Sequence, residues 1–246
     1  MRYRVLLFDL FGTLVHLKPV LGYAPGQEAG VRPVEWLREP VQRDLPGVSF
    51  DDFLGALLEV TREIVRARPP EYREVDSPIR FRRALDRLGV DGTETGEIAE
   101  RLCRAHMGYL AEQTEMPESH AGLLRRLGRE YRLGLISNFD YGPTAHEILE
   151  REGIASLFEV TLISADFGRR KPHPAIFEEA LKRFAVDRHA ALFIGDTVGE
   201  DVSGALSVDL DVAWINRKGE SVPQDGPRPT FTIDRLAEVE RVLSDV

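Results

Sequence analysis

The stretch Val5-Leu6-Leu7-Phe8-Asp9-Leu10-Phe11-Gly12-Thr13 begins as a short apolar run and ends in an acidic residue and a turn. A short apolar run bounded by turn residues predicts a strand that is buried on both faces of a parallel sheet. Asp9 then lies at the carboxyl end of that strand, where open α/β sheets bind their ligands. Because a buried carboxylate without a partner is costly, Asp9 is a candidate nucleophile or metal ligand.

The second half of the chain alternates strand-like and helix-like segments. We predict strands over 132–137, 158–164, 190–194 and 212–215, with a last strand and helix within 230–244. Helices are predicted over 118–129, 143–152, 174–184 and 199–207. This alternation indicates parallel βαβ units with right-handed crossovers. The predicted fold class is therefore α/β, with a doubly wound, Rossmann-like parallel-sheet core.

Between the first strand and residue 115 the alternation stops. Residues 18–47 contain several prolines and glycines, so we predict loops or short helices there. Amphipathic helices are predicted over 50–67, with Ser49 as the N-cap, over 77–89 and over 93–114. We therefore predict a core formed by residues 1–15 and 115–246, with an α-helical cap domain inserted at 16–114.

Composition and charge argue against several classes of protein. The chain has 246 residues and a formal net charge of −9, which argues against general affinity for nucleic acid. No apolar stretch approaches the roughly 20 residues that span a bilayer, and the first residues run directly into the first strand. Cys103 is the single cysteine, which excludes an intrachain disulfide framework and a multi-cysteine metal site. We expect a cytoplasmic protein with a small-molecule partner and no nucleic-acid or membrane partner.

Four polar clusters end or follow predicted strands, and in a doubly wound sheet they meet at one edge. They are Asp9 with Thr13, Ser137 with Asn138, Lys171, and Asp196 with Asp201. This set suits phosphoryl transfer, which needs a nucleophile, hydrogen-bond donors and cations. Asp9 could attack phosphorus and form an acyl phosphate, Thr13 and Ser137 could bind the phosphoryl oxygens, and Lys171 could neutralise negative charge.

The carboxylates in the same set predict a metal site. Asp196, with Asp9 and a backbone carbonyl, offers the oxygen ligands that Mg²⁺ prefers. Asp201 follows five residues after Asp196. It could complete the surroundings of the metal or orient Lys171.

These segments resemble the four motifs of the haloacid dehalogenase superfamily, in the same order and spacing. The motifs are Asp9-Leu10-Phe11-Gly12-Thr13, Ile136-Ser137-Asn138, Lys171-Pro172-His173-Pro174 and Gly195 to Asp201. The insertion at about 16–114 falls where that superfamily carries a helical cap of its first type, which would close over the substrate.

The resemblance implies a role for each matching residue. Asp9 would be the nucleophile, Thr13 and Ser137 would bind phosphate or the nucleophile, and Lys171 would stabilise charge. Asn138, beside Ser137, is expected in the substrate-binding set. Asp9, Asp196 and the main-chain oxygen of Phe11 would be Mg²⁺ ligands, and Asp201 is expected in the metal set.

Phe11 departs from the phosphatase pattern of the superfamily. Phosphatases usually have a second aspartate at this position, which protonates the leaving oxygen and then activates water. An aromatic residue there is instead a feature of the 2-haloacid dehalogenases, which work without metal and lack the Gly195-Asp196 start of the fourth motif. Phosphate hydrolysis could survive with a leaving group that needs little protonation, or if a cap residue such as His16 replaced the acid.

The leading hypothesis is a Mg²⁺-dependent hydrolase of a small phosphorylated metabolite that acts through an aspartyl-phosphate intermediate. One alternative is a 2-haloacid dehalogenase that acts without metal. The other is a catalytically weak member that binds a phosphometabolite or a protein partner, because Phe11 cannot transfer protons. The cap could also mediate a homodimer.

Overall fold

A computed structural model describes residues 2–18, 34–222 and 226–245. Contacts between residues divide the chain into two compact units. The first unit comprises residues 1–17 and 115–246, and the second comprises residues 18–114. Among the described residues, no helix combines the length and the apolar character that crossing a membrane requires.

The first unit is built on a six-stranded parallel sheet with the strand order β5-β4-β1-β6-β7-β8. Two more strands, β2 and β3, have two residues each. The strand bounds are β1 Val5–Phe8, β2 His16–Leu17, β3 Thr114–Glu115, β4 Arg132–Ser137, β5 Val160–Ile163, β6 Ala191–Gly195, β7 Asp211–Ile215 and β8 Phe231–Ile233.

The described α-helices of the second unit are α1 Arg38–Asp44, α2 Phe50–Arg66, α3 Ser77–Arg87 and α4 Thr95–Glu112. The described α-helices of the first unit are α5 Glu118–Leu127, α6 Gly142–Arg151, α7 Ser164–Phe167, α8 Pro174–Phe184, α9 Ser203–Leu206 and α10 Val239–Ser244. Short 3₁₀ segments precede several of these elements, including Glu35–Leu37 before α1.

The core of the first unit follows from the apolar strands. All four residues of β1 are fully buried, because β1 lies between β4 and β6 in the middle of the sheet. Helix α8 buries Phe177 and Phe184 against this sheet, and Phe177 meets Phe193 of β6 edge-on, with ring centroids 5.2 Å apart. Burial of such side chains contributes roughly 1.5–3 kcal/mol each. The carboxyl ends of β1, β4 and β6 are thereby fixed side by side.

The second unit packs its helices through aromatic side chains. Helix α2 begins as its sequence predicts, with the Ser49 hydroxyl accepting a hydrogen bond from the Asp52 N–H at 3.1 Å. Phe53 of α2 and Phe81 of α3 have ring centroids 6.3 Å apart, and Phe81 also contacts His106 of α4. Cys103 of α4 is buried within this unit.

The predicted fold class is confirmed, since the core is a parallel Rossmann-like sheet with helices on it. The predicted helix over 199–207 was wrong in its first half. There the N–H groups of Asp201 and Val202 both bond to the Thr197 carbonyl, which forms a wider π-helical turn over Val198–Val202. The prediction for 18–47 is met by Glu35–Leu37 and α1, and its part over 19–33 lies outside the described residues.

Candidate active site

Asp9 follows β1 directly at the carboxyl edge of the sheet. Its N–H donates to the Ile194 carbonyl of β6 at 2.9 Å, so the strand pairing fixes its backbone. The loop after Asp9 turns at Gly12, whose φ of +87° suits glycine. A Cβ at Gly12 would overlap the carboxylate of Asp196. Glycine therefore lets the β1 loop approach the β6 loop closely.

Lys171 joins two of the predicted carboxylates. Its Nζ donates to Oδ1 of Asp9 at 2.6 Å and to Oδ1 of Asp201 at 2.7 Å. All three side chains are buried, and Lys171 is only 1% exposed. The Lys171 ammonium also lies 5.3 Å from the ring centroid of Phe193. The two carboxylates neutralise the buried ammonium of Lys171, which in turn holds one oxygen of Asp9 in place.

Burial and mutual repulsion shift the pKa values of the carboxyl groups. Burial raises the pKa of Asp9 to about 8; Lys171 lowers it, and the carboxylates of Asp201 and Asp196 raise it further. Burial, and then the charge of Asp201, raises the pKa of Asp196 to about 6. Burial alone would lower the pKa of Lys171, but its two carboxylate partners raise it above the ordinary value. The site therefore carries more negative charge than Lys171 alone neutralises.

Asp201 acts within the loop that follows β6. Its Oδ2 accepts the N–H groups of Asp196 at 3.0 Å and Thr197 at 2.9 Å, while its Oδ1 accepts from Lys171. The indole of Trp214 donates to the Asp196 carbonyl at 3.0 Å. Both oxygens of Asp201 are thus engaged, which favours the orienting role over direct metal ligation.

Asn138 holds the Lys171 segment from the neighbouring loop. Its Nδ2 donates to the Lys171 carbonyl at 3.0 Å, and its Oδ1 accepts the Lys171 N–H at 2.8 Å. These two bonds fix the Lys171 backbone against the loop that follows β4. The geometry gives Asn138, which we expected to bind substrate, a contact that positions Lys171.

Two hydroxyl groups in this region have no hydrogen-bond partner within the described part of the chain. They are Oγ1 of Thr13 and Oγ of Ser137, and both are fully buried. Leaving a buried hydroxyl unpaired costs about 1–3 kcal/mol. Ser137 ends β4 beside β1, and Thr13 closes the β1 loop, so the hydroxyls belong to the strand ends that hold Asp9 and Asn138.

Phe11 stacks on Phe139, with ring centroids 4.7 Å apart and ring planes 24° apart. The backbone of Phe139 is fixed by Ser164, whose hydroxyl accepts the Phe139 N–H at 2.9 Å. His16, considered as a substitute acid, has a pKa lowered to about 4 by burial, by Arg217 and by His120. At neutral pH His16 is therefore uncharged and poorly suited to protonate a leaving oxygen.

Three carboxylates of the sequence-based metal set lie together. Asp9, Asp196 and Asp201 each offer an oxygen, and these oxygens lie within 4.8 Å of one another. In the described ranges, the second carboxylate oxygens of Asp9 and Asp196 accept no hydrogen bond. The structure thus brings these carboxylates, Lys171 and the Phe11 loop to one edge of the sheet.

Arg217 is a residue of this region that the sequence reasoning missed. It follows β7, and its guanidinium donates to the Gly12 carbonyl and, at 3.5 Å, to the Thr13 carbonyl. The signal was available, because Asn216-Arg217 follows a buried apolar strand at the same edge as Asp9 and Asp196. The four polar clusters predicted from the sequence did not include this pair.

Comparisons with known proteins find one matching family model and several relatives. A model of the haloacid dehalogenase-like hydrolase family matches residues 3–209. A pyrimidine 5′-nucleotidase of Escherichia coli strain K12 is 30% identical over 67% of this chain and 69% of its own. A phosphoserine phosphatase of Thermus thermophilus is 29% identical over 96% of this chain and 97% of its own. A crystal structure of a 2-haloacid dehalogenase from Pseudomonas syringae superposes with a TM-score of 0.74 at 27% identity, covering 99% of each chain.

Proposed function

The chain belongs to the haloacid dehalogenase-like hydrolase family, and from that premise we propose that it is a Mg²⁺-dependent phosphatase of a small phosphorylated metabolite. The observation that carries the proposal is the group of three carboxylates around Lys171. Attack by a single carboxylate paired with lysine needs no such group. A divalent cation that accompanies a phosphate substrate accounts for it.

The carboxylates fit Mg²⁺. Asp9 and Asp196 each keep one oxygen without a hydrogen bond in the described chain, as a metal ligand requires. Burial, and then the charges of neighbouring carboxylates, raise the pKa values of both groups, and a bound cation would favour their charged forms. We propose Asp9, Asp196 and the carbonyl of Phe11 as ligands. Asp201, which is hydrogen-bonded to Lys171, lies beside them. Mg²⁺, when bound, supplies neutralisation of the phosphoryl oxygens.

The protein groups divide the remaining work. With one oxygen of Asp9 left for the metal, the other, which Lys171 holds, attacks phosphorus and forms an aspartyl phosphate. The bond from phosphorus to the leaving oxygen breaks, and the leaving group departs as its anion. Water then attacks the aspartyl phosphate, which releases inorganic phosphate and restores the Asp9 carboxylate. The unpaired hydroxyls of Thr13 and Ser137 donate to the phosphoryl oxygens, which gives these buried groups the partners they lack. Asn138 and Asp201 keep Lys171 in place from two loops.

Dehalogenation of a 2-haloacid is the second candidate. The observation that favours it is the Phe11–Phe139 pair, which places two aromatic rings in the loops that follow β1 and β4. Halide departs without a proton, so an apolar neighbour would not impede that reaction. The similarity to a 2-haloacid dehalogenase structure agrees with this candidate.

The deciding experiment measures phosphate release from a panel of alkyl, aryl and acyl phosphates, with Mg²⁺ and with chelator. Halide release from 2-haloacids is measured in parallel, and Asp9→Asn is the control in both assays. The proposal expects phosphate release that needs Mg²⁺ and is lost in Asp9→Asn. Halide release that is indifferent to chelator would replace it with dehalogenation. Silence in both assays would favour a member that binds a phosphometabolite or protein partner. A cytoplasmic location and a homodimer stay predictions from the sequence.

A further inference from the structure

The turn that follows β7 is fixed at several points. The side-chain Oδ1 of Asn216 accepts the Glu220 N–H at 2.8 Å, and its Nδ2 donates to the Glu220 carbonyl at 2.9 Å. The Asn216 N–H donates to the Ile233 carbonyl of β8 at 2.7 Å. Gly219, with a φ of +63°, completes the turn. The backbone that carries Arg217 is therefore held by hydrogen bonds within the turn and to strand β8.

The guanidinium of Arg217 is directed at the loop that carries the nucleophile. It donates to the carbonyls of Gly12 and Thr13, and it forms no salt bridge with a carboxylate among the residues that the structure describes. Asp196 attracts it from a greater distance. A hydrogen bond from a charged donor is about twice as strong as one between neutral groups. The charged guanidinium of Arg217 is thus hydrogen-bonded to backbone carbonyls.

The carbonyls of Gly12 and Thr13 take no part in the internal hydrogen bonds of the loop that follows β1. Those hydrogen bonds join the Gly12 N–H to the Val15 carbonyl at 2.8 Å and the Leu14 N–H to the Leu10 carbonyl at 2.8 Å. These bonds close the turn and leave the carbonyls of Gly12 and Thr13 to Arg217. The Thr13 hydroxyl has no partner of its own, so its position depends on this backbone.

We propose that Arg217 is a positioning residue, which holds the backbone of Gly12 and Thr13 so that the Thr13 hydroxyl and Asp9 keep the geometry of the phosphoryl site. The kinetic consequence rests on the proposed function; the effect on the loop does not. Arg217 touches no reacting atom. Misplacement of a reacting group by about 1 Å can cost roughly 100-fold in rate, so a contact of this kind affects turnover from outside the site.

The kinetic test uses para-nitrophenyl phosphate with Mg²⁺. We expect Arg217→Ala to lower kcat by about 10- to 100-fold while KM changes less, because misplacing Asp9 and the Thr13 hydroxyl weakens binding of the transition state more than binding of the substrate. Arg217→Lys should recover only part of kcat, since an ammonium keeps the charge but cannot bond two carbonyls as a planar fork does. Added guanidinium should restore part of the activity of Arg217→Ala and should not raise the activity of the wild type.

Lys218→Ala is the matched control. It removes one positive charge from the next residue, whose side chain is 55% exposed and pairs with Glu220 at 3.6 Å. If Lys218→Ala lowered kcat as much as Arg217→Ala, net charge would explain the effect and the proposal would fall. An unchanged kcat in Arg217→Ala would also overturn it.

A second measurement does not depend on turnover. Amide hydrogen exchange followed by mass spectrometry should show faster exchange over residues 10–15 in Arg217→Ala than in the wild type or Lys218→Ala, with 132–137 unchanged. Equal exchange over 10–15 would overturn the proposal even if kcat fell. If the wild type released no phosphate from any alkyl, aryl or acyl phosphate of the panel, the proposed function would fail, and the exchange result alone would decide the role of Arg217. Arg217→Gln replaces the alanine variant if that variant does not fold.

Discussion

Phe11 determines how this site can handle the leaving group of a phosphate ester. Its ring stacks on Phe139 and carries no proton to give. We expect Phe11→Asp to raise turnover of alkyl phosphates by at least tenfold, because general acid–base catalysis typically contributes about 10²–10⁴-fold. The measurement is kcat for an alkyl phosphate in the presence of Mg²⁺.

Phe11→Asn is the matched control for this prediction, since asparagine has the size of aspartate and no acidic proton. It should show no gain. An equal gain in both variants would attribute the change to loss of the aromatic stack. No gain in Phe11→Asp, with folding and Mg²⁺ binding retained, would count against a competent phosphate site.

The pKa values of Asp9 and Asp196 predict how Mg²⁺ binding depends on pH. In the metal-free protein their pKa values are raised to about 8 and about 6, so protons compete with the metal below those values. Apparent Mg²⁺ affinity should rise as the pH increases from about 5 to 8, level off above 8, and be accompanied by proton release. Calorimetry in two buffers of different ionisation enthalpy measures both quantities. An affinity that is independent of pH would contradict this account of the carboxylates.

At the scale of elements, the close approach of the β1 and β6 loops depends on Gly12. Gly12→Ala should lower kcat at least 100-fold, because the added Cβ would displace the Asp196 carboxylate. Gly153→Ala is the matched control, since Gly153 also has a positive φ, of +64°, but its added Cβ meets no atom within 4 Å. Both variants should lose about 1–2 kcal/mol of stability from the left-handed backbone. Equal turnover in the two variants, measured beside chemical denaturation, would show that loop approach is unimportant.

The elements also show how far the sequence could predict this molecule. The sheet and its carboxylates could be predicted from the apolar runs of β1 and β6 and the polar residues after them. Both features depend only on residues that are neighbours in the sequence. The contacts of Asn138 with Lys171 and of Arg217 with Gly12 join residues 33 and 205 positions apart, and no local pattern encodes such distances. The π-helical turn at Val198–Val202 was not predicted, because the sequence pattern of such a turn does not differ from that of an α-helix.

For the whole molecule, the excess of buried carboxylates implies a cost in stability that function requires. Since folding raises the pKa of Asp9 from its ordinary value to about 8, the fold loses stability as the pH rises from about 4 to 8 without metal. In chelator at pH 8, Asp9→Asn should therefore have a higher Tm than the wild type. Mg²⁺ should raise the Tm of the wild type more than that of the variant, measured by thermal denaturation. A lower Tm for Asp9→Asn in chelator would mean that its bond to Lys171 outweighs the cost of burial.

The most direct test of the central claim is to trap the covalent intermediate on Asp9. The protein is mixed with Mg²⁺ and the best substrate of the panel, quenched in acid during turnover, digested and mapped by mass spectrometry. The account predicts one phosphoryl group on the peptide that contains Asp9, and none in Asp9→Asn or in chelator. Phosphorylation of a different residue, or full turnover by Asp9→Asn, would contradict it.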